Sequence, residues 1–139
     1  MRNRKWIIVL LMTSVILLAV TGCASSGPSV NVDLTSFKIA TTPTSIASGI
    51  ITFHIKNNAT DVSHDLVIVK TDLAASSLPT QSNGQVDLGK LTVVGQIQPL
   101  APGASQDLTI NNMASGHYVL FCNVVGHYAA GMYAEFVVN

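Results

Sequence analysis

The sequence predicts an all-β fold: an antiparallel Greek-key β-sandwich of about seven to eight short strands, filling residues 30–139. Two observations carry this. Apolar residues recur at every second position in several stretches, the period of a strand with one buried face. Clusters of Pro, Gly and Asn interrupt those stretches at short intervals, and almost nothing between them has a helical period. With 139 residues in all, the chain is long enough for one such domain and its core.

Taken in order, Val30, Val32 and Leu34 alternate with polar residues. Phe37 and Ile39 resume the alternation one position out of phase, which predicts a bulge or a bend. The stretch ends at Ala40-Thr41-Thr42-Pro43. From Gly49 to Lys56 a second strand puts Ile51, Phe53 and Ile55 on one face and Thr52, His54 and Lys56 on the other, so His54 is expected to be exposed. Asn57-Asn58-Ala59-Thr60-Asp61 is a turn, and the β-branched run from His64 to Lys70 a third strand. Thr71 to Gly84 is irregular, with a short helix or a loop at Ala74–Pro79 and no assignable chemistry. Val86 to Ile97 holds one or two strands, broken near Gly89-Lys90 and Gly95. Pro99–Gly103 reads as a rigid turn, Ser105–Ile110 as another strand, and Asn111–Gly116 as the next turn. His117–Phe121 and Met132–Val138 are the last two strands, and His117 belongs to the strand, not to a site.

The N-terminus has a different composition. Arg2, Arg4 and Lys5 precede an apolar run from Trp6 to Val20, the layout of a secretory signal. That run is 15 residues long, short of the roughly 20 a spanning helix needs. It ends in Val20-Thr21-Gly22-Cys23, which resembles a bacterial lipobox. The expected organisation is therefore a signal peptide over residues 1–22, then Cys23 as the lipidated residue of a flexible tether over 23–29, then the sandwich. This places the domain outside the cytoplasm, lipid-anchored to a bacterial cell membrane.

Without residues 1–22, Lys38, Lys56, Lys70 and Lys90 stand against Asp33, Asp61, Asp65, Asp72, Asp87, Asp107 and Glu135; four positive minus seven negative is a net charge of −3. With no Lys/Arg cluster, nucleic acid is not an expected partner. Cys122 is left as the single thiol of an exported domain, with no partner for an intramolecular disulfide. Such a thiol is an oxidation liability unless something occupies it, and a metal would.

The loop from Cys122 to Met132 supplies the reason to expect one. Cys122, His127 and Met132 bring thiolate, imidazole and thioether into one short connection, with four residues between the first pair and four between the second. Soft sulfur beside imidazole suits copper. With Cys122 ending one strand and Met132 starting the next, His127 sits at the crest, and all three can turn to one point. Two histidines, a cysteine and a weak axial methionine make the trigonal copper site, so a further ligand must come from elsewhere. His64, heading a strand at the same end of the sandwich, is the best candidate. Each residue alone has a plainer explanation: a buried small thiol for Cys122, a surface loop residue for His127, core packing for Met132, a strand-edge histidine for His64. The spacing they share favours the metal.

Cys122–Met132, preceded by Gly116-His117-Tyr118-Val119-Leu120-Phe121 and with Ser63-His64-Asp65-Leu66 upstream, resembles the blue-copper cupredoxins, the group of plastocyanin, azurin and auracyanin. The resemblance implies one mononuclear copper ion, with His64, Cys122 and His127 equatorial and Met132 axial, and single-electron transfer as the activity. It also implies that the outer edge of His127 is the electron's exit, ringed by Val124, Val125, Tyr128, Ala129 and Ala130 as a small apolar patch for redox partners; the plainer reading is that these residues only cap the core. The sequence departs from the family where Asp65 replaces the usual Asn, and where Val125 occupies a place often held by Pro. A carboxylate accepts hydrogen bonds but cannot donate, so loop rigidity and reduction potential are where this chain should differ from its relatives.

The expected function is electron carriage, without enzymatic activity, between redox protein donors and acceptors such as a cytochrome, oxidase or reductase. The protein would be a monomer, touching the membrane only through its anchor. The alternatives are copper storage, delivery or sensing with the same ligands, and a metal-free adhesion or assembly module. A binuclear copper centre needs two bridging cysteines, and Cys122 is alone in the domain.

Overall fold

The computed structural model describes residues 27–139. The expected signal peptide and the expected lipidation site Cys23 lie outside them, and no helix among the described residues is long and apolar enough to cross a membrane. Among the described residues nine strands form two sheets: β1 (Ser29–Thr35), β2 (Lys38–Thr42), β3 (Ser45–Ile46), β4 (Gly49–Asn57), β5 (His64–Lys70), β6 (Thr92–Leu100), β7 (Ser105–Met113), β8 (Gly116–Phe121) and β9 (Tyr133–Val138). The first sheet has the order β2-β1-β4-β7 and the second β3-β9-β8-β5-β6. The all-β sandwich is as expected. Its pairing is mixed, not purely antiparallel, because β1 runs parallel to β4 and β3 parallel to β9.

The slip at Phe37 proves to be a hairpin. β1 and β2 pair antiparallel with Thr35 opposite Lys38, and Ser36-Phe37 makes the turn. Pro99, expected to begin a turn, lies inside β6 instead. It is tolerated there because β6 is an edge strand, pairing within its sheet only with β5. The turn follows at Ala101–Ala104, closed by Ala104 N–H donating to the Ala101 carbonyl at 3.0 Å. The two helical pieces are single 3₁₀ turns, Ala75–Ser77 and Leu88–Lys90.

The main core lies between the sheets, built from alternate residues of each: Val30, Val32 and Leu34 from β1, Ile51, Phe53 and Ile55 from β4, Leu66 and Ile68 from β5, Tyr118 and Leu120 from β8, and Phe136 and Val138 from β9. A second core covers the outer face of the second sheet. There Val67, Val69, Val119 and Phe121 meet Ala75, Leu78 and Val86 of the segment between β5 and β6. β5 and β8 are thus buried on both faces, which is why their sequences read as apolar runs and not as alternations.

Four connections gather at one end of the sandwich: the β1–β2 tip, residues 58–63 leading into β5, the β6–β7 turn, and the β8–β9 loop. Asn57, fully buried at the end of β4, ties two of them together. Its side-chain amide donates to the carbonyls of Val62 and Leu100 at 2.9 Å each, and its Oδ1 accepts from Ala59 N–H at 3.0 Å. Its own N–H donates to Ala104, and its carbonyl accepts from Gly103 N–H. Asn58 adds to this hold on the approach to His64, its N–H donating to the Leu34 carbonyl and its side-chain amide to Asp33 Oδ1, each at 2.7 Å.

Candidate metal centre

β5 and β8 pair antiparallel with Val67 opposite Phe121, so the start of one strand lies beside the end of the other. This register sets His64 next to Cys122. The β8–β9 loop then folds back on itself: Met132 N–H donates to the His127 carbonyl, Cys122 N–H to the Met132 carbonyl, each at 3.1 Å, and His127 N–H to Val124 at 3.0 Å. Gly126 (φ +83°) and Gly131 (φ +93°) take left-handed conformations at either end of its crest, where a side chain would be strained.

Three donor atoms converge as a result. Cys122 Sγ lies 3.3 Å from His127 Nδ1 and 3.8 Å from His64 Nδ1, and the two imidazole nitrogens are 3.1 Å apart. A trigonal ion with metal–nitrogen bonds of about 2.0 Å and a metal–sulfur bond of about 2.3 Å would hold such atoms roughly 3.5–3.8 Å apart, close to this spacing. Cys122 and His64 are fully buried and His127 is 8% exposed, so of these three only His127 reaches the surface. Met132, fully buried, lies with Cys122 in the main core.

The electrostatics favour a cation. Burial pushes the Cys122 thiol up to about 12, reinforced by the negative charge of Asp65 and opposed by backbone hydrogen bonds from Val124 and Asp65 to the sulfur. Burial, then the neighbouring His127, holds the His64 imidazole below its ordinary value, against the pull of Asp65 and Asp61. A neutral imidazole is the ligating form, and a buried thiol that loses its proton needs a positive charge in its place. His64 Nε2 has no hydrogen-bond partner among the described residues, so packing and not a bond from behind sets the angle of the ring.

Asp65 Oδ1 accepts from Asn123 N–H at 2.5 Å, so the carboxylate does tie the two ligand-bearing segments together. Val125 is 60% exposed, Ala129 and Ala130 are exposed and Val124 is half-buried. Tyr128 corrects the expectation of an exposed patch residue. Only 6% exposed, it points away from the surface around His127 into the second core, where its hydroxyl donates to the Ala75 carbonyl at 2.7 Å and accepts from Leu78 N–H at 2.9 Å. His54 pairs with Asp107 in the open and His117 Nδ1 donates to the Thr71 carbonyl, both away from the centre. Sequence reasoning missed Phe37. Its ring meets that of His127 edge-on, with centroids 5.3 Å apart, from the tip of the β1–β2 hairpin.

A mixed two-sheet sandwich that gathers a thiol and two imidazoles at one end, with a methionine closing the same loop, fits a single type 1 copper ion and defines the class of the blue-copper cupredoxins. Within that class the chain belongs to the sulfocyanin (SoxE) domain family, whose model matches residues 10–139. Among solved structures it is similar to reduced auracyanin from Roseiflexus castenholzii (TM-score 0.60, 23% identity, 80% of this chain and 96% of that one). It is also similar to the azurin Az-iso2 from Methylomonas sp. strain J (0.58, 16%, 82% and 99%) and to rusticyanin from Thiobacillus ferrooxidans (0.55, 16%, 82% and 79%). At these identities the structural likeness establishes the fold. Comparison with curated protein sequences gives no match.

Proposed function

We propose that this protein carries single electrons between redox proteins outside the cytoplasm, using one copper ion held by His64, Cys122, His127 and Met132. The observation that carries the reading is the convergence of Cys122 Sγ and both Nδ1 atoms within 3.8 Å of one another, two of the three residues fully buried. Bound there, copper would supply a one-electron couple. The chain's own residues hold the ligands in one geometry through the change of charge, because the thiol and His64 have no room to move and the loop is closed on itself.

His127 connects the centre to the surface. Phe37, Val125, Ala129 and Ala130, all exposed, with half-buried Val124, surround it as an uncharged face suited to brief contact with a cytochrome, oxidase or reductase. The signal-like N-terminus and Cys23 support tethering to the outer side of a bacterial cell membrane. Storage or delivery of copper is less well supported, since buried ligands on a closed loop favour retention of an ion over its release.

The test is copper loading. One equivalent of copper(II) should give an intense visible thiolate-to-copper absorption, reversibly bleached by a one-electron reductant and absent in Cys122→Ala. No such absorption in the wild type, or its full retention in Cys122→Ala, would sink the proposal.

A further inference from the structure

The segment between β5 and β6 was given no chemistry by its sequence, yet it grips the β8–β9 loop at two places. Asn123, the residue after Cys122, is bound like a partner strand: its Oδ1 accepts from Val86 N–H at 2.7 Å, its Nδ2 donates to the Val86 carbonyl at 3.3 Å, and its own carbonyl accepts from Gln85 Nε2 at 2.7 Å. Tyr128, the residue after His127, puts its hydroxyl between the Leu78 N–H and the Ala75 carbonyl. Each grip therefore falls on the residue following one of the loop's two proposed equatorial ligands. Asn123 is also held from the other side, by Asp65. The Tyr128 ring is packed edge-on against Phe121 and tilted against Tyr133, so its hydroxyl has little freedom to leave.

We infer that residues 75–86 form a strap that fixes the metal-binding loop from outside, with Asn123 and Tyr128 as positioning residues acting through Cys122 and His127. The inference rests on the copper reading for its consequence but not for its geometry. The loop has Val125 where stiffening by a proline ring would be expected, and its crest begins and ends on glycines, which are the freest residues of the backbone. The loop's internal hydrogen bonds close it on itself, but its composition does little to stiffen it. The five hydrogen bonds from the strap supply the constraint that the loop's own composition lacks. Two of them use a side chain to satisfy both backbone groups of Val86, and two use one hydroxyl as donor and acceptor together, so removing either side chain strands backbone groups at a largely buried contact.

The experiment compares wild-type protein with Tyr128→Phe and Asn123→Ala, first without metal and then with copper(II). In the metal-free proteins, amide hydrogen exchange at His127, Ala130, Gly131 and Met132 should be about tenfold faster or more in each variant, while Val67–Val69 and Val119–Phe121 keep wild-type protection. With copper(II), the thiolate-to-copper absorption should persist, because every ligand is present, but the copper hyperfine splitting and the midpoint potential should shift. Gln85→Ala, which removes one bond from a half-exposed side chain, should give a smaller shift in the same direction and covers the case in which Asn123→Ala does not fold. Exchange in the loop within twofold of wild type in Tyr128→Phe and Gln85→Ala would overturn the inference. So would acceleration spread equally over loop and strands, which is the behaviour of a mere core cover. If wild-type protein shows no thiolate-to-copper absorption, the copper reading fails, and the exchange data still decide the strap.

Discussion

Asn57 and Phe37 stand at the same end of the sandwich and use opposite physics. Asn57 is fully buried with every polar atom of its amide bonded, so its removal takes one hydrogen bond each from the Val62 and Leu100 carbonyls and the Ala59 N–H. Each buried bond lost costs about 1–3 kcal/mol, not fully additively, and Asn57→Ala should destabilise the protein by about 3 kcal/mol or more, measured by urea or thermal unfolding. Phe37 is a bulky residue at φ +59° and 47% exposed, and neither property favours it. The left-handed backbone costs about 1–2 kcal/mol, and the edge-on contact with His127 returns about 0.5–1.5 kcal/mol. Phe37→Gly should therefore change stability by less than about 1 kcal/mol in either direction. What it should change is His127: the imidazole gains exposure, and its ring resonances in the NMR spectrum shift while those of the core stay in place. A loss of several kcal/mol in Phe37→Gly would show that the hairpin tip is a packing element.

At the scale of elements, the legible and the illegible parts of this protein divide by how directly the sequence signals them. β5, β8 and the loop after β8 could be read directly, because apolar runs mark strands buried on both faces and because Cys122, His127 and Met132 are residue types that announce their chemistry. The β1–β2 hairpin could not, since a one-residue slip in the alternation at Phe37 has the same signature for a bulge as for a two-residue turn. The strap was also silent. It acts mostly through backbone groups of Ala75, Leu78 and Val86, which are the same in any sequence, and the burial of Tyr128 follows from that segment lying over the second sheet. Tyr118 of β8 offers a check on how firmly the strands enclose their side chains. Burial raises its phenol above the ordinary value near 10. A folded-state value above the unfolded one means the folded protein holds the proton more tightly. This share of stability is complete below pH 10 and is lost as the pH rises through the folded value. In alkaline unfolding of the metal-free protein, Tyr118→Phe should flatten the decline of stability above pH 10 relative to wild type. Because the hydroxyl donates to the Ala114 carbonyl at 2.6 Å, the variant should also be less stable at neutral pH, by about 1 kcal/mol.

For the whole molecule, the distribution of charge bears on how two copies, or a copy and a partner, meet. Residues 30–139 carry a net charge of −3, four lysines against seven acids. The exposed residues proposed to ring His127, by contrast, are Phe37, Val125, Ala129 and Ala130, none of them charged. Two copies approaching through that face repel one another only through charges set back from the contact. Such repulsion is largely screened once the Debye length falls to about 10 Å, near 0.1 M salt. Electron self-exchange of the copper-loaded protein should therefore rise modestly with ionic strength and level off. Val125 is the place to test the geometry, being 60% exposed at the loop crest. In Val125→Lys two ammonium groups would face each other across the contact, and at partly screened separations of a few ångströms their repulsion is of the order of 1–2 kcal/mol. Self-exchange measured by NMR line broadening should fall about tenfold at low salt and recover most of that loss by about 0.5 M, with the visible spectrum unchanged because no ligand has moved. A rate independent of both the substitution and the salt would mean that electrons leave by another face, and the role given to His127 as the exit would have to be abandoned even if copper binds as described.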